Sequence, residues 1–208
     1  MLDFQKIFRC YILPGLVNSQ LAFVGIYCLL IYHSEVSQKE IKLPSFAYSL
    51  MIANSLAGLT KFVPDDSFYE LRLLLDYAQL IMALPLITTE FLITHQIFPE
   101  EISGIPVYIG FTALMLFIIF EYKRQDLTDL TIILSLFLYA STGIFHQPMA
   151  IVGSIFFSVG YFSYKRNEGV CLRNQNYFNL CMAVFGFLSV VAFEPEKLLS
   201  IPSDMSLL

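Results

Sequence analysis

The chain has 208 residues, of which 57% are hydrophobic and 15% aromatic against 14% charged, with a mean hydropathy of +0.67. Such a composition cannot supply the wetted surface of a soluble domain, so the sequence describes an integral membrane protein with the lipid bilayer as its surroundings. The net charge of −5 is spread over loops and ends, and no basic patch interleaved with aromatics points to nucleic acid.

Seven apolar segments follow in chain order, each bounded by charges or by Pro and Gly clusters. They run from about Leu13 to Tyr32, Pro44 to Phe62, Tyr69 to Thr94, Ile105 to Tyr122, Leu127 to Phe145, Pro148 to Tyr164 and Tyr177 to Phe193. At a rise of about 1.5 Å per residue, spans of roughly 20 residues cross a bilayer, and seven of them fill the chain. The expectation is one all-α, seven-helix transmembrane domain over residues 1–208, with a retained first span and a frayed tail after Phe193. The HQP connection at 146–148 makes spans five and six antiparallel neighbours. No strand alternation suggests a β-barrel.

Lysines and arginines divide unevenly between the two sides. Lys6, Arg9, Lys61, Arg72, Lys123, Arg124, Lys165, Arg166 and Arg173 fall on the side of the N-terminus, and Lys39, Lys42 and Lys197 on the other. The positive-inside rule then puts the N-terminus in the cytoplasm, in the cell membrane. The four cysteines, Cys10, Cys28, Cys171 and Cys181, have neither metal-ligand nor disulfide-framework spacing and are expected as small apolar core residues.

The third span, around LLLDYAQLIMALPLITTEFLI from Leu73 to Ile93, carries Asp76, Gln79 and Glu90 within an apolar run. An ionisable group inside a bilayer costs about 2.5 to 3.5 kcal/mol, so each requires a partner, a wet cavity or a function. Pro85 is expected to kink this helix, with the freed carbonyl satisfied by a neighbour. Gln79 is expected to cluster with Asn54 and Asn179 as interhelical glue, and His95 and His146 to lie at the interface. The stripe of Phe156, Phe157, Tyr161 and Phe162 is expected in the core or against lipid.

From Asp76 to Phe91 the sequence DYAQLIMALPLITTEF resembles the third helix of the microbial rhodopsins, proteorhodopsins in particular, which reads approximately RYxDWLLTVPLxxxEF. GSIFFSVGYFSY from Gly153 to Tyr164 is similar to the sixth helix of that family, and FNLCMAVFGFL from Phe178 to Leu188 to its seventh. The resemblance implies a rhodopsin-like bundle, and also how this chain departs from it. The retinal-bearing lysine, four residues before the FG glycine, falls at Met182. The family's counter-ion aspartate falls at Gln79, its arginine at Asp76, and the aspartate before the lysine at Phe178. Ser154, Phe157 and Ser158 stand where that family has Trp, Tyr and Pro. Without a lysine at that position no Schiff base is expected, and the resemblance implies that Gln79, Asp76, Pro85, Phe157, Phe178 and Met182 are the remains of a retinal pocket, open at most to non-covalent retinal or a carotenoid.

Glu90 keeps the position of the proton donor in pumping relatives. With nothing to reprotonate, it is expected as a neutral acid in a dry setting, bonded to Thr60 or Ser55 or reaching the interface, or else as a proton-path residue. The resemblance also implies an N-terminus outside the cell, opposite to the charge distribution. Two functions follow as expectations: a non-photochemical scaffold, partner subunit in a homo- or hetero-oligomer, or binder of an apolar ligand; and a proton or cation transporter using Glu90 and Asp76. An enzyme is not expected, because Asp65, Asp66 and Glu70 cluster only in a loop and no metal site is indicated.

Overall fold

The computed structural model describes residues 12–36, 42–60, 68–121, 123–166 and 172–193. Among these residues there is no strand. Seven long helices follow one another: α1 (Leu13–Ile31), α2 (Leu43–Leu59), α3 (Tyr69–Thr94), α4 (Ile105–Phe120), α5 (Gln125–Phe145), α6 (Pro148–Arg166) and α7 (Leu172–Phe193). A π turn over Tyr32–Val36 extends α1, and a single helical turn, Glu100–Ser103, precedes α4. Proline stands in the first turn of α1, α2 and α4, where its missing N–H costs no helical bond.

Five helical stretches are long and apolar enough to cross a membrane: Leu13–Ser34, Tyr69–Thr94, Glu101–Phe120, Gln125–Phe145 and Gln175–Phe193. The other two of the expected seven differ for physical reasons. α2 is apolar, and its 17 described residues stand at the short end of the roughly 17 to 25 that a span uses. α6 dilutes its apolar residues with Ser154, Ser158, Ser163 and several glycines and tyrosines. The tail after Phe193 and Cys10 and Cys171 lie outside the described residues, whereas Cys28 and Cys181 are free thiols in the core.

The helices close into a ring in which α1 packs on α2, α2 on α3, α3 on α5, α5 on α6, α6 on α7 and α7 back on α1. α4 lies against α3 and α5. α3 is the axis of this arrangement: 72% of its apolar window is buried, against 28% for the window leading through α4. Every residue from Tyr77 to Leu92 is buried. A helix that is apolar all round belongs inside, and the polar letters of α3 are therefore forced to find partners.

Small residues allow the close crossings that association in lipid requires. A methyl on Gly160 of α6 would come within 2.7 Å of the Cys181 Cβ on α7, and one on Gly58 of α2 within 2.7 Å of the Asn18 amide on α1. Pro85 lies inside a continuous α3. The carbonyl it frees, that of Ile81, faces Gly110 of α4, where an added Cβ would sit 3.0 Å from that oxygen. Gly110 thus lets α4 pack closely over the turn of α3 that Pro85 interrupts.

The aromatic stripe of α6 divides. Phe157 and Tyr161 are buried, while Phe156 and Phe162 are exposed on the outer face.

Candidate functional site

The polar residues singled out on α3 stand at two levels along the helix, Asp76 and Gln79 at one and Glu90 at the other. At the level of Asp76 and Gln79, α1, α2, α3 and α7 are joined by amides. Asn54 Nδ2 donates to Gln79 Oε1, Gln175 Nε2 donates to the Asp76 carboxylate, and Asn179 Nδ2 donates to Asn18 Oδ1 at 3.0 Å. Gln79 is fully buried, and its Nε2, like Asn179 Oδ1 and Asn176 Nδ2, has no hydrogen-bond partner among the described residues. A shallow cleft is bordered by Asn54, Asp76, Gln175, Asn179, Tyr164 and Phe178. The expected Asn54–Gln79 contact is therefore present, but Asn179 turns toward α1, which α7 packs against, and bonds Asn18 rather than Gln79.

One level further in lie the positions that the rhodopsin resemblance assigns to the chromophore. Met182 and Phe157 are fully buried and Phe178 is 4% exposed. The Phe157 ring meets Phe178 and Phe185 edge to face, with centroids 6.1 and 5.2 Å apart, and Phe185 in turn meets Tyr139 at 5.9 Å. Such edge-on stacking fills space densely. Ser154 and Ser158 bond back to the carbonyls of Ala150 and Ser154, one turn earlier on α6, so their hydroxyls point along the helix.

Glu90 lies near the far end of α3, 7% exposed, with Lys42 Nζ 3.4 Å from its Oε1. Its partner is thus Lys42, not the expected Thr60 or Ser55. Ser55 and Thr60 bond the carbonyls of Met51 and Ala57 on their own helix. The reason is direction: α2 runs antiparallel to α3, so the end of α3 meets the start of α2, where Lys42 stands, and Thr60 lies at the other end. The Tyr32 hydroxyl, fully buried just past the end of α1, has no hydrogen-bond partner among the described residues.

Beyond Glu90, the rings of His95 and His146 stack with centroids 4.7 Å apart and an angle of 16°. Both stand at helix ends, as expected, and Phe91 meets His95 edge-on at 4.5 Å. Burial, and then the neighbouring His146, hold the His95 imidazole below the ordinary histidine range.

A further group at the Asp76 end escaped the sequence reading. Asp129 on α5 accepts from the Tyr161 hydroxyl and from the Lys165 ammonium, both on α6. The Tyr77 hydroxyl lies 3.0 Å from Thr128 Oγ1, and Lys123 sits over the rings of Tyr77 and Phe117 at 5.5 and 5.8 Å. The available signal was Asp129 itself, a carboxylate just inside an apolar segment and one that demands a cation from a neighbouring helix.

Among the described residues no three His, Cys, Asp or Glu side chains stand together as metal ligands. The family models, curated proteins and solved structures compared with this chain yield no match.

Proposed function

We propose that the protein is a non-photochemical, rhodopsin-like bundle of seven membrane-crossing helices in the cell membrane, serving as a scaffold or partner subunit rather than as a light-driven pump. One observation carries the reading. The space that a chromophore would need between Gln79, Met182 and Phe157 is occupied by side chains, all three of these being fully buried and the Phe157 ring wedged against Phe178 and Phe185. No lysine lies at the Met182 position, and Lys42, Lys123 and Lys165 stand at helix ends. The protein accordingly takes neither covalent retinal nor a non-covalent polyene in its core. All-trans retinal added to purified protein tests this: an absorption spectrum unchanged from free retinal supports it, and a red-shifted band removed by hydroxylamine sinks it.

The amide pairs explain how such a scaffold holds one arrangement. In lipid, where apolar faces attract each other little more than they attract acyl chains, buried hydrogen bonds fix which helices meet and in what register.

A second reading, proton or cation movement, is favoured by a different observation. Polar groups recur along α3 and its neighbours, from the half-buried Asp76 through the buried Gln79 and Asn54, past the Tyr48 hydroxyl 2.8 Å from Ser189 Oγ, to Tyr32 and Glu90. Proteoliposomes carrying Asp76→Asn or Glu90→Gln test it: proton flux above protein-free vesicles that either substitution lowers supports the path, and flux equal to empty vesicles rules it out.

A further inference from the structure

A second cleft adjoins the amide seam through Leu80 and Tyr164, at the end of the bundle where α3 and α5 begin and α6 finishes. It opens outward and is lined by Lys123, Thr128, Asp129, Tyr164 and Lys165, with Tyr77 and Leu80 at its inner side. Two lysines and one aspartate leave it with a net charge of +1. The Asp129 carboxylate is already engaged by the Tyr161 hydroxyl and Lys165. Lys123 has no carboxylate partner among the described residues and rests its ammonium over two aromatic faces. A cation held that way keeps hydrogen-bond donors for an incoming anion.

The place of this cleft identifies the anion. It sits at a helix end, on the side where the sequence concentrates its lysines and arginines, and a bilayer around the apolar helices would bring lipid headgroups to that level. At the same level the outer faces of α4 and α6 present Phe120 and Phe162, 67% and 52% exposed, as surfaces for acyl chains. Basic pockets between membrane helices take phosphate-bearing headgroups, each lysine contributing about 1 kcal/mol.

We propose that the Lys123–Lys165 cleft binds the phosphate of an anionic phospholipid headgroup, with the ammonium of Lys123 as the principal contact, Lys165 as the second cation, and the acyl chains lying along α4 and α6. A membrane phospholipid, rather than dissolved phosphate, is the occupant, because the cleft opens at the edge of the apolar belt. The inference is independent of the scaffold reading and of any ion path.

Native mass spectrometry of the full chain released from phosphatidylcholine nanodiscs doped with phosphatidylglycerol tests it. Retained phosphatidylglycerol should exceed retained phosphatidylcholine relative to the doping ratio. Lys123→Gln should weaken that retention about fivefold, as one lost lysine contact implies. Asp129→Asn, which removes the opposing charge, should strengthen it. The two substitutions act in opposite directions, so a general loss of folding cannot imitate the pattern, and Asp129→Asn stands alone if Lys123→Gln does not fold. Equal retention of both lipids, or retention unaltered by either substitution, overturns the proposal. Inorganic phosphate added at the concentration of the lipid should fail to displace it, and displacement would overturn the assignment to a lipid.

Discussion

Lys42 and Glu90 form an ion pair of 3.4 Å that ties the start of α2 to the end of α3, with the carboxylate side chain 9% exposed and the lysine 34%. Removing one partner of a fully buried pair costs roughly 3 to 5 kcal/mol, because the other charge is left without compensation. Since Lys42 is about one-third exposed, water screens part of that loss, and Lys42→Met should cost about 1 to 2 kcal/mol. Lys42→Met combined with Glu90→Gln should recover much of it. Thermal unfolding in detergent checks both, and a double substitution as unstable as the two singles added together would mean that the pair is not coupled.

Asn54 and Gln79 should behave alike on α2 and α3. Asn54→Leu leaves both polar atoms of the Gln79 amide without partners in the core, at a cost of about 1 to 3 kcal/mol. Replacing both, Asn54→Leu with Gln79→Met, removes the buried polar groups together and should restore nearly all of the loss. Chemical denaturation of the single and double variants measures the difference.

Gly110 faces the carbonyl of Ile81 at the point where Pro85 interrupts α3, and the Met82 sulfur stands 3.2 Å from where a Cβ would be. The carbonyl is backbone and cannot swing away, so Gly110→Ala should push α4 outward and destabilise the bundle by about 1 to 3 kcal/mol. A Gly110→Ala protein as stable as the parent would show that α4 is not seated over that oxygen.

His95 gives the bundle a pH dependence with a defined sign. Its folded-state pKa is depressed, by burial first and by His146 second. Between that lowered value and roughly 6.5, where an ordinary histidine titrates, the unfolded chain binds the proton more readily than the folded one. The His95 contribution is therefore intact above roughly pH 6.5, falls as the pH drops through that value, and levels off below the folded pKa. Unfolding followed from pH 7.5 to 5 should show this loss, and His95→Phe, which keeps a ring against Phe91, should flatten it.

Much of this architecture was legible because polar letters in an apolar chain have few places to go. The bounds of α3 at Tyr69 and Thr94 coincide with those expected, since charges and Pro and Gly clusters mark both ends. The Asn54–Gln79 pair was foreseeable for a related reason: two amides facing into neighbouring apolar helices satisfy each other. Partners that depend on the relative direction and register of helices were not legible. Lys42 looks like a loop residue in sequence, and only the antiparallel crossing of α2 and α3 brings it to Glu90. Asn179 could have served Gln79 or Asn18, and the packing of α7 on α1 decided for the second. Asp129 was hidden by its position near a segment boundary, where a carboxylate looks solvated until α6 supplies Tyr161 and Lys165.

The central claim is that the middle of the bundle is filled by its own side chains. Titration of the purified protein with all-trans retinal, read as induced circular dichroism in the polyene band, tests it most directly. The account requires no saturable induced signal, since Phe157, Phe178, Met182 and Phe185 occupy the space a polyene would need. A signal that saturates at one retinal per chain would contradict it and would restore a ligand-binding core.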